Sequence, residues 1–362
     1  MHYHIILTER CNSRCVYCYG KSMKEFENGL EEKWEFEDCP CDSEVDIETL
    51  KSFIKKDDTL IFYGGEPLLK IDKIKEIIDN INCRFCMQTN AKILDQLPKK
   101  YLLKLDKILV SIDGDRQRTD ENRGKGNYDL VIKNVEKIKE LGFNGEVVSR
   151  MTICHPDIFE QVKYLLDLNI FDSVHWQLDA GFYKNDFDDE KFSEFVKKYK
   201  SELTNLVNYW LKEMKKGKVL KLYPFLGIFE SVYYNKSSKL RCGSGYANFT
   251  ITTNGKLSAC PIMNSVKDFY CGNIRQGVKK EIHCIEPCTT CSYYDLCGGR
   301  CLYSNYAKLW PEQGQDLICE TIKHLINEIK RIVPEIRKLI DNKLVSEEDF
   351  YYEKYFGPEI IP

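Results

Sequence analysis

Three closely spaced cysteines near the start of the chain are the first residues that could do metal chemistry. Cys11, Cys15 and Cys18 lie in the segment CNSRCVYC. Thiolates of this kind bind zinc or iron–sulfur clusters, and both kinds of site normally take four protein ligands. Three cysteines therefore leave either a distant fourth ligand or one open coordination position. An open iron could be chelated by the amine and carboxylate of an amino-acid-like ligand.

A second and denser cysteine array lies in the last third of the chain. A cysteine before and a cysteine after an Asn-Gly turn are followed by C-x2-C-x5-C-x3-C and a final cysteine. The members are Cys242, Cys260, Cys288, Cys291, Cys297, Cys301 and Cys319. Because zinc ribbons also use CxxC pairs, a zinc ribbon is the alternative to an iron–sulfur array.

The composition argues against several other classes of protein. The 362 residues carry a net charge of −3, which differs from the basic surface of nucleic-acid-binding proteins. No apolar run reaches the roughly 18 residues of a membrane span, and MHYHIILTER lacks the order of a signal peptide. We therefore expect a cytoplasmic protein with no nucleic-acid or membrane partner. Its 17 cysteines are then better explained by metal binding than by disulfides.

The elements that must position these cysteines alternate between strands and helices. Helical spacing of apolar residues predicts helices over 71–81, 128–142, 157–169, 189–217 and 316–342, the last interrupted by Pro334. Short β-branched segments predict strands over 3–8, 59–64, 83–89, 107–113, 146–153 and 173–179. Six strand–helix units favour a parallel sheet, either a partial (β/α)6 barrel or a doubly wound sheet.

Candidate ligand-binding residues follow several of these strands. Cys11 comes after the first strand, Gly64 ends the second and Asp113 ends the fourth. Because functional residues of such barrels lie at the carboxyl ends of the strands, we expect these three motifs on one face. An ordinary turn at Gly64 and a helix-capping role for Asp113 are the structural alternatives.

The spacing of CNSRCVYC, together with YGGEP (63–67) and SIDG (111–114), resembles the radical S-adenosylmethionine (SAM) enzymes. That resemblance implies a [4Fe–4S] cluster on Cys11, Cys15 and Cys18, with SAM on the open iron. It also implies a SAM site. Its residues would be Gly64, Gly65, Glu66 and Pro67 for the amino group, and Ser111, Asp113 and Arg150 for the ribose and carboxylate.

The second array resembles the SPASM domain, a C-terminal extension of many radical SAM enzymes that carries two auxiliary iron–sulfur clusters. The resemblance assigns one cluster to Cys242, Cys260 and Cys301, and the other to Cys288, Cys291, Cys297 and Cys319. The first of these sets lacks a fourth ligand. Cys271, the next cysteine after Cys260, is the predicted fourth ligand; Cys284 and an open iron are the alternatives.

The predicted organisation has four parts. Residues 1–220 form the partial barrel, with an acidic insertion over 21–46; residues 221–241 form a linker, 242–319 the SPASM domain, and 320–362 a C-terminal helix and tail. The fold class is therefore α/β, a partial (β/α)6 TIM-like barrel followed by a small cysteine-rich domain.

The resemblance implies an oxidoreductase that uses a 5′-deoxyadenosyl radical to take hydrogen from a substrate carbon. The chain is similar to archaeal members of this group that are proposed to modify peptides. The expected substrate is therefore a precursor peptide, and the expected net change is an oxidation or a crosslink. The expected electron donor is a ferredoxin or flavodoxin. The alternatives are formylglycine formation in a sulfatase, modification of a small molecule, or a non-catalytic electron carrier. Pro261 stands where sulfatase-maturing enzymes have an Asp, which argues against the first of these.

Overall fold

The computed structural model describes residues 1–18, 29–355 and 362. The chain forms two compact units. The first comprises Met1–Arg150, Ile170–Asp172 and Gly243–His283, and the second comprises Met151–Asn169, Ser173–Cys242 and Cys284–Pro362. Residues 21–28 of the predicted insertion and 356–361 of the predicted tail lie outside the described residues.

A parallel sheet forms the centre of the first unit. Its strands β1 to β5 pair in sequence order, each parallel to the next. They are His2–Ile6, Thr59–Tyr63, Arg84–Thr89, Leu105–Ser111 and Glu146–Ile153. All five residues of β2 are buried, as expected for a parallel strand covered on both faces. Among the described residues of this unit, the α-helices are α1 (Ile47–Phe53), α2 (Ile71–Asn80), α3 (Lys99–Leu102), α4 (Arg116–Arg123) and α5 (Asn127–Glu140).

A four-stranded extension continues the sheet beyond β1. Strand β7 (Asn248–Ile251) runs parallel to β1, in a register that places Asn248 opposite His2. Strands β8 (Lys256–Ser258), β9 (Tyr270–Asn273) and β10 (Gly277–Val278) then add in antiparallel order. The β7–β8 turn contains Gly255, whose φ of 80° favours glycine. The Asn-Gly turn of the sequence thus joins the two strands of a hairpin, and the pairing of β7 to β1 was not predicted.

The second unit is mainly helical. Its described residues contain the end of β5, strand β6 (Ser173–Leu178) and six α-helices besides short 3-10 turns. These are α6 (Ile158–Asp167), α7 (Asp189–Met214), α8 (Tyr223–Tyr233), α9 (Tyr294–Cys297), α10 (Leu302–Ala307) and α11 (Glu312–Asp341). Helix α8 lies inside the segment predicted as a linker, and most of its residues are buried. Helix α11 is continuous through Pro334, where the sequence left open a division into two helices.

The predicted α/β class with a parallel-sheet core is confirmed, and each of the six predicted strands forms within two residues of its expected ends. Among the described residues no helix is both long and apolar enough to cross a membrane.

Candidate functional site

The first three cysteines lie in the loop that follows β1, at the carboxyl end of the sheet's central strands. The Cys18 amide donates a hydrogen bond to the carbonyl of Cys15 over 3.2 Å. Loss of hydration raises the pKa of the Cys11 thiol, and the charges of Glu66, Cys15 and Cys18 raise it further. The three sulfurs are therefore electrostatic neighbours in the folded chain.

Gly64 and Gly65 bring the end of β2 against the residues that precede this loop. Gly65 and Glu66 donate backbone hydrogen bonds to the carbonyls of Thr8 and Arg10, over 2.8 and 2.9 Å. A Cβ atom at Gly64 would lie 2.3 Å from the Thr8 carbonyl oxygen, and one at Gly65 would lie 2.3 Å from that of Arg10. Such contacts are shorter than any side chain tolerates, so the glycine pair is needed to hold the start of the cysteine loop.

Glu66 is fully buried and bound by the protein. Its Oε1 accepts hydrogen bonds from the Thr89 hydroxyl (2.7 Å) and the Leu68 amide (3.1 Å), and its Oε2 accepts one from the Asn90 amide (2.7 Å). Burial raises the pKa of this carboxyl to about 7. The Asn90 side chain in turn donates to Asn12 over 2.7 Å and contacts the Cys11 sulfur at 3.7 Å. Pro67 starts the 3-10 turn that Glu66 caps.

Asp113 is held by a buried ion pair. Its carboxylate accepts two hydrogen bonds from Arg123, over 2.9 and 2.8 Å, one from Asn122 over 3.2 Å and one from the Tyr17 hydroxyl over 2.7 Å. The Arg123 guanidinium also lies over the Tyr17 ring at 5.3 Å. Tyr17 stands between Cys15 and Cys18, so this network, which we call the Asp113 clamp, fixes the cysteine loop to β4 and α4.

Arg150 lies beside the Asp113 clamp, and its backbone pairs with Ser111. Burial lowers the pKa of Arg150, and the groups that influence it include Tyr63, Arg123 and Tyr17. Tyr63 is buried as well. Its pKa is raised to about 12, mainly by burial, and its charged neighbours are Arg150, Cys260 and Cys18.

The cysteines Cys288, Cys291, Cys297 and Cys319 all lie in the second unit. Burial is the main cause that raises the pKa values of Cys288, Cys297 and Cys319, the value of Cys297 reaching about 11. Neighbouring thiols raise these pKa values further. Cys319 and Cys291 act on the pKa of Cys288, and Cys288 and Cys319 act on the pKa of Cys297. Cys291 acts on the pKa of Cys319. The four thiols predicted for the second auxiliary cluster thus share one neighbourhood.

The remaining predicted ligands divide between the two units. Cys260 and Cys271 belong to the first unit, and Cys242 and Cys301 to the second. Cys271 is buried in β9, and its thiol points to the Phe269 carbonyl at 3.7 Å. Within residues 1–18, 29–355 and 362, no group of three or more His, Cys, Asp or Glu side chains is close enough to be assigned as a metal site from geometry alone.

Comparisons with known proteins give a family for the first part of the chain. Residues 5–168 match the model of the Radical SAM superfamily. The chain contains a radical SAM domain. An uncharacterised protein of Archaeoglobus fulgidus is 22% identical to it over 344 residues, covering 88% of this chain and 78% of the relative. A cysteine-type anaerobic sulfatase-maturating enzyme of Clostridium perfringens is 22% identical over 362 residues, covering 86% and 91%.

Solved structures agree on the fold. Native anSMEcpe with bound AdoMet and Cp18Cys peptide superposes with a TM-score of 0.65 at 17% identity, covering 92% of this chain and 99% of that chain. The match of residues 5–168 confirms the predicted radical SAM domain, and the solved structure confirms the fold. A radical SAM domain implies a [4Fe–4S] cluster and SAM.

The donor set of the radical SAM domain fits that group. Three neighbouring thiols supply soft ligands for iron, and the cationic and acidic groups around them suit a zwitterionic ligand. Sequence reasoning assigned no role to Asn90, Tyr17, Arg123 or Tyr63, although Tyr17 and Tyr63 lie inside the motifs CNSRCVYC and YGGEP. Asn90 and Tyr63 stand at strand ends, so the rule that functional residues follow strands could have found both. Nothing in the sequence pairs Tyr17 with Asp113.

Proposed function

We propose that this radical SAM enzyme is an oxidoreductase that modifies a precursor peptide, with three [4Fe–4S] clusters and an electron donor such as a ferredoxin or flavodoxin. The observation that carries the proposal is the second group of thiols, Cys288, Cys291, Cys297 and Cys319, which neighbour one another in a unit separate from the first three cysteines. The relative from Clostridium perfringens, named as a sulfatase-maturating enzyme, and the peptide-bound structure support a peptide substrate.

The chain's own residues would bind and orient the cofactor. Cys11, Cys15 and Cys18 would hold the cluster, and SAM bound there supplies the radical that takes a hydrogen atom from the substrate. Oε2 of Glu66 accepts one described hydrogen bond, so it keeps a lone pair for the ammonium group of SAM. An ammonium there would favour the ionised form of Glu66.

The remaining predicted SAM residues divide into two roles. Ser111 and Arg150 would face the ribose and the carboxylate, since both stand where β4 and β5 pair at the carboxyl end of the sheet. The carboxylate of Asp113 is taken up by Arg123, Tyr17 and Asn122. We therefore propose Asp113 as a residue that positions the cysteine loop.

Formylglycine formation in a sulfatase is the second candidate, because the Clostridium perfringens relative matches over most of this chain. Pro261 begins a 3-10 turn directly after Cys260. A proline has no group that can act as a base, so the peptide-modification reading stays the stronger one.

The test combines metal analysis with isotope transfer. Anaerobically reconstituted protein should hold about 12 irons per chain, and a Cys11→Ala, Cys15→Ala, Cys18→Ala variant should keep about 8. Enzyme, SAM and a reductant are then incubated with deuterated peptides encoded beside the gene, with a cysteine peptide of a sulfatase, and with free amino acids and sugars. Deuterium in 5′-deoxyadenosine from a precursor peptide, lost in the triple variant, supports the proposal.

Other outcomes would reject it. Transfer from the sulfatase peptide alone would establish the second candidate. Deuterium transfer from a sugar or amino acid alone would support radical chemistry and would contradict a peptide substrate. Zinc in place of iron in protein made anaerobically would remove the radical mechanism itself.

A further inference from the structure

Two consecutive glycines of the second unit mark a point where three chain segments meet. Gly298 and Gly299 have φ values of 74° and 91°, which favour glycine. A Cβ atom at Gly298 would lie 1.9 Å from the Lys239 carbonyl oxygen, and one at Gly299 would lie 2.4 Å from the Cys284 sulfur. The loop between Cys297 and Cys301 is therefore in direct contact with both the segment before Cys242 and the side chain of Cys284.

The first of these segments is fixed by hydrogen bonds. The Ser238 amide donates to the Asp295 carbonyl over 2.6 Å. The buried Arg241 guanidinium donates to the carbonyls of Leu296 (3.1 Å) and Gly227 (2.7 Å). Because Cys242 follows Arg241 directly, these contacts hold it close to the loop that carries Cys297.

Cys284 is fixed from the other side. Its side chain is buried, and its sulfur lies 3.8 Å from the Gly299 carbonyl oxygen. The side chain of Asn305 accepts from the Ile285 amide over 2.7 Å and donates to the Ile285 carbonyl over 2.9 Å. The Asn305 amide donates to the Cys301 carbonyl over 3.0 Å. One asparagine thus ties the residue after Cys284 to the first turn after Cys301.

The electrostatic surroundings agree with this geometry. Burial raises the pKa of Cys284, and the charges of Cys288, Cys301, Cys242 and Cys297 raise it further. Burial also raises the pKa of Cys271, to about 11, but there the charged neighbours are Lys280 and Glu281. Cys284 therefore lies among cysteine thiols, whereas the charges that act on Cys271 come from a lysine and a glutamate.

We propose that Cys284 is an iron ligand and binds, beside Cys242 and Cys301 of the same unit, the auxiliary cluster whose fourth thiolate the sequence leaves open. The inference rests on the proposed auxiliary clusters. The other cluster already has four cysteines, so Cys284 is left for the incomplete one. Cys284 would bind as its thiolate, with its proton released to solvent. Cys271 is then a buried structural thiol.

The experiment compares single variants of the full chain, reconstituted anaerobically and measured for iron, sulfide and the Mössbauer and EPR spectra of the clusters. Cys284→Ala should lose between one and four of about 12 irons, because an iron with three protein ligands is labile or lost with its cluster. Cys284→Ser keeps nearly the same volume, and it should show an altered spectrum because oxygen replaces sulfur on one iron. The matched control is Cys271→Ala, which alters another buried cysteine that lies outside the array, and it should keep the iron and the spectra of the unaltered protein.

Each result decides between the alternatives. Unaltered iron and spectra in both Cys284 variants overturn the inference, and loss of iron in Cys271→Ala with Cys284→Ala intact assigns the ligand to Cys271. If Cys284→Ala does not accumulate as folded protein, the spectrum of Cys284→Ser decides alone. If the unaltered protein binds only about four irons, the auxiliary clusters themselves are wrong. That failure differs from one in which about 12 irons bind and Cys284 has no effect.

Discussion

Replacing Asp113 by Asn tests whether the Asp113 clamp positions the cysteine loop. The side chains of Asp113 and Arg123 are 0% and 7% exposed, and two hydrogen bonds join them. Asp113→Asn keeps the shape of the side chain and removes its charge. The Arg123 guanidinium then remains buried without a counter-charge, and the Tyr17 hydroxyl loses a charged acceptor.

The expected loss of stability is large. Removing one partner of a buried ion pair costs about 3–5 kcal/mol, because the other charge stays buried and unpaired. For a unit of roughly 200 residues, each kcal/mol shifts the unfolding midpoint by about 2–4 °C. Asp113→Asn should therefore lower the midpoint by roughly 10 °C. It should also lower the iron content of the first cluster, since Tyr17 lies between Cys15 and Cys18, two of the predicted ligands.

The assay is anaerobic thermal unfolding followed by circular dichroism, with iron content and SAM affinity measured on the same samples. The matched control is Asp129→Asn, which removes an exposed partner of Arg116. That surface pair should change stability by less than about 1 kcal/mol. The double variant Asp113→Asn, Arg123→Gln should lose less than the sum of the two single changes, because no buried charge is left unpaired.

If Asp113→Asn lowers the unfolding midpoint no more than Asp129→Asn does, the Asp113 clamp does not stabilise the cysteine loop. If SAM affinity then fell while stability and iron content stayed unaltered, Asp113 would be a ribose ligand, as the sequence alone predicts. The two roles are thus separated by two measurements on one protein.

Two further predictions follow from the same unit. Gly65→Ala should destabilise the protein by at least about 1–3 kcal/mol and reduce iron at the first cluster, because its Cβ would meet the carbonyl of Arg10; thermal unfolding and iron analysis check this. His4 is buried, its Nδ1 lies 2.9 Å from the Asn248 side-chain oxygen, and burial lowers its pKa to about 4 from 6.5. The folded state disfavours the protonated form of His4. The free energy of unfolding therefore keeps the full contribution of His4 above pH 6.5, and it falls by about 3 kcal/mol in all as the pH falls towards 4. Unfolding midpoints between pH 7 and 4 should fall less steeply in His4→Gln; parallel curves for the two proteins would contradict this.

The sequence was informative where the chemistry is local. Strand and helix periods depend on neighbouring residues, so all six strands of the predicted repeat were found near their ends. The cysteine spacings are likewise local, and they pointed to the radical SAM family before any contact was known. The motifs CNSRCVYC and YGGEP do lie at the carboxyl ends of two adjacent strands, β1 and β2, because parallel strands bring those ends to one edge of the sheet.

Contacts between distant residues were decided by the tertiary structure. The pairing of β7 with β1 joins residues about 245 positions apart, and no short-range pattern encodes it. The Asp113 clamp gives Asp113 a different role from the predicted one. A carboxylate at a strand end can bind a ligand unless a buried arginine pairs with it, and whether Arg123 does so depends on how α4 packs. In the same way, order along the chain favoured Cys271 as a ligand, whereas the fold places Cys284 against Gly299 and among other thiols. Residue types and spacing thus determined the chemistry available to this protein, and packing determined which side chains are positioned to use it.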